Sequence, residues 1–441
     1  MVKNTTTFKQ FARYSSLNVF GMLALSCYIL ADTFFVSKGL GADGLTALNL
    51  AIPIYSFIRG CGLMIGMGGA TKFSIYRIQG KKERANEAFS NSIFMGVAIA
   101  TIFFLIGLFL SEYIVGFLGA NKDVFDMSKT YLQVILLFAP AFMINEIMLC
   151  FVRNDGAPQL VMLAMLTGSL SNIILDYIFI FPFGMGIFGA VLATGIAPII
   201  NMIVLSPFFI KGENSFKLVK CKLSFSLLKE IISTGLPSLI TEVSSGIVII
   251  VFNTIILGIM GNIGVAAYGV IANLSLVVIS MYTGIAQGIQ PLISNSYGSK
   301  KYSDVKDILK YAMITMLILS LGVYLMITFG AAQIAGVFNS DNNLILQNTA
   351  VVGLKIYFLA CPFVGFNIIM SVYFTSTESP KPANAISILR GFIIIVPLAF
   401  LLSYIAGMTG IWLVFPTTEF IVSILALVFY IFLKKKIKSI E

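Results

Sequence analysis

The chain has 441 residues, 58% of them hydrophobic and only 11% charged, where a soluble globular domain carries about 25% charged residues. That composition cannot clothe a water-facing surface, so most of the solvent must be lipid. There is no histidine, which excludes imidazole metal sites, histidine-based catalysis and histidine proton relays, and the net charge of +10 is spread between apolar segments instead of forming a nucleic-acid face.

Twelve apolar segments follow one another, each long enough to cross a hydrocarbon core of about 30 Å. A spanning chain must satisfy its own backbone hydrogen bonds, so each is expected to be a helix. The ten-residue alternating strands of a barrel do not appear. Segment 1 (11–37) carries Tyr28 and Asp32, and no small-residue cleavage site follows it, so it reads as a retained span. Segment 2 (45–75) holds Arg59 and Lys72, the latter expected to snorkel to the nearer surface. Segments 3 (88–112) and 4 (128–152) follow, the fourth with Tyr131, Met143, Asn145 and Glu146. Segment 5 (158–181) ends in SNIILDYIF, with Asn172 four residues before Asp176, and segment 6 (187–210) contains Thr194 in GAVLATGIAP. A basic stretch, 211–228, then divides an N-terminal half (1–210) from a C-terminal half (229–441). The second half repeats the format: 229–257 with Glu242, 266–294, 305–330, 346–375, 384–405, and 410–433 with Glu419.

The cations follow the connections. Of 29 Lys and Arg, 23 lie at the two termini or after even-numbered segments, among them Arg153, Lys222, Arg390 and the tail KKKIK. This is the positive-inside distribution, and it predicts that both termini are cytoplasmic. The five cysteines are scattered without metal-ligand spacing, and four sit in apolar segments as small core residues.

The halves resemble each other. Gly41, Gly44 and Ala47 recur as Gly261, Gly264 and Ala267; Pro140, Asn145, Ile147, Met148 and Pro158 recur 222 residues on; Gly186 and Gly189 recur as Gly407 and Gly410. Three matches at nearly one offset indicate a duplication. An even number of segments per half sets both halves the same way up, related by an axis along the membrane normal.

A charge at a helix centre costs about 2.5–3.5 kcal/mol on insertion scales, so each needs a reason. Arg59 is expected to pair with a carboxylate, Glu146 being the nearest candidate. Asn172 and Asp176 lie one turn apart on one helical face. With Asp32 and Thr194 they would form an oxygen cage without His or Cys, which suits Na⁺ or a proton and not a transition metal. Two carboxylates held close together also resist joint ionisation, which favours retention of a proton. The alternative is that the Asn–Asp pair only binds helices together. Glu242 and Glu419 fit either function or packing. The C-terminal half lacks the cage: Phe252 stands where the offset places Asp32's counterpart, and ISILRGFIIIVP has no acid.

LADTFFVSKGLGADGLTALNLAIPI (30–54), FVRNDGAP (151–158), SNIILDYIFIFPFGMGIFGAVLAT (171–194) and GLPS (235–238), in this order on twelve segments, resemble the multidrug and toxic compound extrusion (MATE) transporters. The likeness covers about residues 10–433 and is nearest to the bacterial DinF-like and MepA-like branch. It implies an all-α polytopic membrane protein with twelve transmembrane helices in two pseudo-symmetric six-helix bundles, arranged as a V in the bacterial cytoplasmic membrane. It further implies a secondary antiporter, not an enzyme, that exports amphipathic and often cationic drugs against Na⁺ or H⁺, without ATP or another cofactor and as a monomer. Asp32, Asn172, Asp176 and Thr194 match the family's N-terminal cation positions, with Tyr28 and Tyr131 as supporting tyrosines. Tyr28, Tyr131, Met143, Asn145 and Arg59 are candidates for the cavity wall. Two departures stand out. No proline lies between Phe11 and Val36, where some relatives bend the helix, and no acid lies between Val351 and Thr377, where another branch places half of a C-terminal site. A lipid-linked precursor flippase of the same superfamily is the alternative, with Arg59 as its headgroup anchor.

Overall fold

The computed structural model describes residues 2–221, 223–339 and 343–438, and among these every regular element is helical. The first helical rod, Val2–Ile78, has 77 residues, about 115 Å if straight and several times the thickness of a bilayer core. It is folded instead. Gly41 adopts φ 67° and ψ −154°, and the hydroxyls of Tyr28 and Tyr55 on either side of it are 3.0 Å apart. The rod is therefore two spans, α1 (2–40) and α2 (42–78). Then come α3 (Lys82–Phe109), a short helix Ser111–Phe117, and α4, whose pieces Phe125–Leu137 and Ala139–Asn154 meet at 47° just before Pro140. α5 (Pro158–Ile180) and α6 (Gly186–Ile210) complete the first half.

The second half opens with another folded rod, Phe225–Gly298, which reverses at Gly261 (φ 65°) into α7 (225–260) and α8 (262–298). Phe252 and Tyr268 face each other across this hairpin at 5.4 Å between ring centroids. α9 is Tyr302–Val337, and α10 is Leu344–Tyr357 and Cys361–Ser376 around a 3₁₀ turn, Phe358–Ala360. α11 (380–406) begins as Pro380–Ile388, passes through a π turn at Leu389–Ile393, and reverses at Gly407 (φ 56°) into α12 (408–438). Among the described residues, nine helices or bent pairs are long and apolar enough to span, and three of them fold back, which gives the twelve crossings the sequence predicts.

The backbone carries the repeat further than the residue types do. Left-handed φ values recur in pairs 220 to 222 residues apart: Gly41 and Gly261, Gly80 and Lys300, Gly156 and Glu378, Gly186 and Gly407. Lys300 (φ 58°) and Glu378 (φ 54°) thus occupy turns that the first half gives to glycine. The break before Pro140 likewise returns before Pro362.

Side chains pack into two apolar cores. One joins Val36, Ile58, Phe73, Phe103, Leu132, Phe151 and Val191; the other joins Phe252, Ile256, Tyr282, Ile289, Met316, Ile369 and Trp412. Outward faces remain apolar, as lipid requires: on α5, Leu163, Leu170, Ile174 and Tyr177 are all at least half exposed. Two features cross the boundary at residue 210. The start of α1 belongs to the second core, where Phe8 and Phe11 pack on Tyr311 at 5.3 and 5.8 Å. The connection after α6 is zipped onto the first lobe: Phe216 is buried in its core, and the backbone amides of Lys217, Val219 and Ser224 donate to Asn86, Ser90 and Asn91. Lys222 lies outside the described residues.

The lobes meet through their hairpins, α1 on α8 and α2 on α7, at the end of the bundle where the termini lie. A Cβ on Gly235 would stand 1.8 Å from the Met64 carbonyl oxygen, and one on Gly284 would stand 2.6 Å from the Val19 Cα. Polar bonds join the lobes beside these crossings. Gln290 donates to Thr71 at 2.8 Å and accepts from Asn154 at 2.7 Å. Lys72 reaches Glu230 at 2.8 Å and Glu378 at 2.7 Å. Lys72 is therefore buried against the second lobe, where two carboxylates hold it, and is not free to reach for the nearer surface. At the other end, a Cβ on Gly41, Gly258 or Gly261 would touch nothing.

Alanine at position 235 cannot be accommodated without parting α2 from α7. Overpacking of this kind costs about 1–3 kcal/mol, so a cysteine replacing the buried Gln290 should react with an impermeant maleimide about tenfold faster in a Gly235→Ala background. Labelling rates in the two backgrounds measure this directly.

Candidate functional site

α5 buries a stripe of Val161, Ala164, Met165, Gly168, Ser169, Asn172, Asp176 and Ile180, spaced three and four apart. The small residues at 164, 168 and 169 let neighbouring helices approach, and the stripe's polar members consequently face protein. On α1, Tyr28, Asp32 and Val36 fall on one buried face at four-residue spacing. α6 brings Thr194 between the buried residues Ala193 and Gly195.

Together these faces enclose four oxygen-bearing side chains. Asn172 and Asp176 are 0% exposed, Thr194 5% and Asp32 7%. The Asn172 amide donates to Asp176 Oδ2 at 3.1 Å and accepts from the Thr194 backbone N–H at 3.3 Å. The Thr194 hydroxyl donates to the Ala190 carbonyl at 3.2 Å. Tyr131 of α4 is buried and lies in the field of both carboxylates. One oxygen of Asp32 and one of Asp176 are buried without any hydrogen-bond partner, and each carboxylate feels the other's charge. Like-charged carboxylates with unshared oxygens in an apolar lobe are costly as they stand. A proton or a small hard cation relieves both the repulsion and the unmet oxygens.

The second lobe treats its acid differently. Glu419 of α12 takes Arg390 Nε and Nη2 on Oε1 at 3.0 and 2.7 Å, and Asn367 on Oε2 at 2.7 Å. Ser423 donates to Asn367 Oδ1 at 3.2 Å, which completes the cluster. This is packing, fully satisfied. It also corrects the placing of Arg390 in a surface connection: the π turn of α11 aims it into the lobe, where the acid of α12 needs a partner. The counterpart of Asp32, Phe252, is buried in the core.

The remaining candidates separate. Arg59 pairs with Glu146 at 3.2 Å, the partner expected, and also with Glu242 of the other lobe at 3.7 Å. Tyr28 is bonded to Tyr55, a residue that the sequence did not single out, although it sits one turn before Arg59. Met143 is 0% exposed and pressed against Gly62, so it is lobe core and not cavity wall. Tyr131 serves the carboxylate cluster. Asn145 is buried with an unpartnered carbonyl oxygen, and Arg153, placed by the sequence in a surface connection, is buried as well.

Comparison with known proteins bears on this arrangement. The MatE family model matches residues 18–178 and 237–401, one block in each half. The multidrug export protein MepA of Staphylococcus saprophyticus subsp. saprophyticus is 28% identical over 417 residues, covering 93% of this chain and 90% of that protein. MepA of Staphylococcus aureus is 27% identical over 418 residues, with 93% and 90% covered. A structure described as the outward-facing conformation of a multidrug resistance MATE family transporter of the MOP superfamily superimposes with a TM-score of 0.92 at 23% identity, covering 98% of this chain and 97% of that one.

The two kinds of buried acid should respond oppositely when one charge of each cluster is removed. Asp32→Asn and Asp176→Asn remove unshared charge and should leave the thermal midpoint in detergent unchanged or raised. Arg390→Met strands Glu419 and should lose about 3–5 kcal/mol. The single tryptophan, Trp412, is fully buried in the second lobe and reports both by its fluorescence.

Proposed function

The chain belongs to the MatE family, and on that premise we propose that it is a multidrug efflux antiporter that exchanges amphipathic, often cationic drugs for inward Na⁺ or H⁺ held at Asp32, Asn172, Asp176 and Thr194. The observation that carries the coupling site is the pair of buried, unpartnered oxygens on Asp32 and Asp176. A cation that arrives there removes a charge penalty and changes how α1, α5 and α6 pack. Occupied and unoccupied sites therefore favour different lobe arrangements, which is the differential binding that coupling requires. For Na⁺ the ligands would be the two carboxylates, the Asn172 carbonyl and the Thr194 hydroxyl; for H⁺ the carboxylates suffice.

The proposed setting is the bacterial cytoplasmic membrane with both termini in the cytoplasm. In that orientation the close glycine crossings and the Lys72 ion pairs lie toward the cytoplasmic side. Drug would enter after these contacts part. Glu242, with 26% of its side chain exposed, is the acid best placed to meet a cationic group between the lobes. The flippase reading is weaker here, because Arg59, its intended anchor for a phosphate headgroup, is already held by Glu146 and Glu242.

Proteoliposomes test the proposal. The intact protein should move ethidium against the direction in which the ion runs down its gradient, and Asp32→Asn or Asp176→Asn should reduce that movement to the level of protein-free liposomes. Transport driven by a Na⁺ gradient with the pH gradient collapsed assigns sodium; dependence on the pH gradient alone assigns protons. Full transport by either Asn variant at equal protein levels would overturn the N-terminal site.

A further inference from the structure

A row of polar side chains, bonded between Tyr28 and Tyr55 and again from Arg59 to Glu146 and Glu242, runs from the helix of Asp32 to the boundary between the lobes. Tyr28 stands one turn before Asp32 on α1, and Tyr55 stands one turn before Arg59 on α2, so each tyrosine shares a helix face with a charge. The fold at Gly41 lays these two helices side by side, and the tyrosine hydroxyls bond at 3.0 Å. Tyr28 lies in the field of both Asp32 and Arg59, and Tyr55 in the fields of Arg59, Glu146 and Glu242. Arg59 then divides one guanidinium between Glu146 of its own lobe at 3.2 Å and Glu242 of the other at 3.7 Å. The ring of Tyr55 is fixed edge-on to Phe142 at 5.2 Å, so its hydroxyl has little freedom to seek another partner. A Cβ on Gly60, beside Arg59, would press within 2.8 Å of Leu239 on α7, which places this end of the line on the contact between the lobes.

Resting on the antiport reading above, we infer that Tyr55 and Arg59 are positioning residues through which occupancy of the Asp32–Asp176 site reaches the lobe contact at Glu242. Occupancy of the site repacks α1 and displaces Tyr28 relative to α2. The bond between the hydroxyls breaks, Tyr55 loses its anchor on α1, and Arg59 shifts toward Glu242, closing the longer of its two ion pairs. Glu242 is then no longer free to take the cationic group of a drug. In the reverse direction, a drug that occupies Glu242 returns Arg59 to Glu146 of its own lobe and favours the unoccupied site. The coupling is thermodynamic and therefore reciprocal.

The test reads the coupling itself. Ethidium affinity of the purified full-length protein is measured by fluorescence with and without sodium chloride, and separately before and after acidification. In the wild type one of these additions should weaken ethidium binding by about tenfold, within the usual range for coupled sites. Tyr55→Phe, which lacks this bond with or without the ion, should show in both conditions the weaker affinity that the wild type shows with the ion, bringing the ratio to within about twofold of unity. Tyr28→Phe removes the same bond, so the double variant should lose no more coupling than either single change. A tyrosine with only a packing role would lower stability or affinity and leave the ratio intact. Asp32→Asn separates the two claims. If it abolishes the ratio while Tyr55→Phe preserves it, the inference falls and the site stands; if it preserves the ratio, the site reading falls and the inference with it. A wild-type ratio of one overturns both.

Discussion

A carboxylate oxygen sealed inside an apolar lobe, with nothing of the protein's own to bond, is the condition on which the rest of this architecture turns. Charge buried without a partner is among the most expensive states a side chain can occupy. Acids inside the lobes are treated in three ways. Glu419 is met on both oxygens, by Arg390 and Asn367, and behaves as fixed structure. Glu146 shares Arg59 with Glu242 of the other lobe. Asp32 and Asp176 each keep an oxygen unmet. Among these acids the order runs from saturated to shared to lacking.

The duplication explains why such different treatments can share one scaffold. Four pairs of left-handed turns at a spacing of 220 to 222 residues set the same hairpins and reversals in each half. That backbone frame is indifferent to the charge its helices carry, provided the apolar stripes still pack. One lobe could therefore put Phe252 in its core and close Glu419 with an arginine, while the other kept two acids on facing helices. Lys300 and Glu378 show how far the frame dominates: both hold left-handed φ despite a Cβ, at a strain of about 1–3 kcal/mol. At Glu378 the strain coincides with a gain, since its carboxylate reaches Lys72 across the lobe boundary.

Much of this was legible in the sequence because the bilayer reduces folding to a count. Segment length and the glycine pairs at 41/261 and 186/407 are one-dimensional signals, and they place the hairpins correctly. The Asn172–Asp176 spacing on α5 is equally direct, since four residues make one turn. Partners contributed by distant segments were harder to find. Arg390 reads as a surface cation from its position near the start of segment 11, and only the π turn redirects it. Lys72 reads as a snorkelling residue because the sequence gives no sign that Glu230 and Glu378 stand opposite. Met143 has the residue type of an adaptable cavity wall, yet its fate was decided by Gly62 on another helix. The left-handed turns at Lys300 and Glu378 had no signal in residue type at all and emerge only by reference to the other half.

The contact between the lobes has the composition of something that must open. A broad apolar interface would hold the halves at a cost too large for one small cation to reverse. Here close approaches are backbone on backbone, at Gly235 against Met64 and Gly284 against Val19, and apolar contact is supplied locally, as by Phe8 and Phe11 on Tyr311. A few charges are added to these, Lys72 and Arg59 from one lobe against Glu230, Glu378 and Glu242 from the other. Ion pairs of this kind, partly open to water, contribute modestly and are readily exchanged. An equilibrium balanced so closely can be tipped by the free energy of neutralising one buried carboxylate, a few kcal/mol on insertion scales. The exchangeable ion pairs between the lobes and the unmet oxygens in the first lobe are thus both places where an added cation changes the electrostatics.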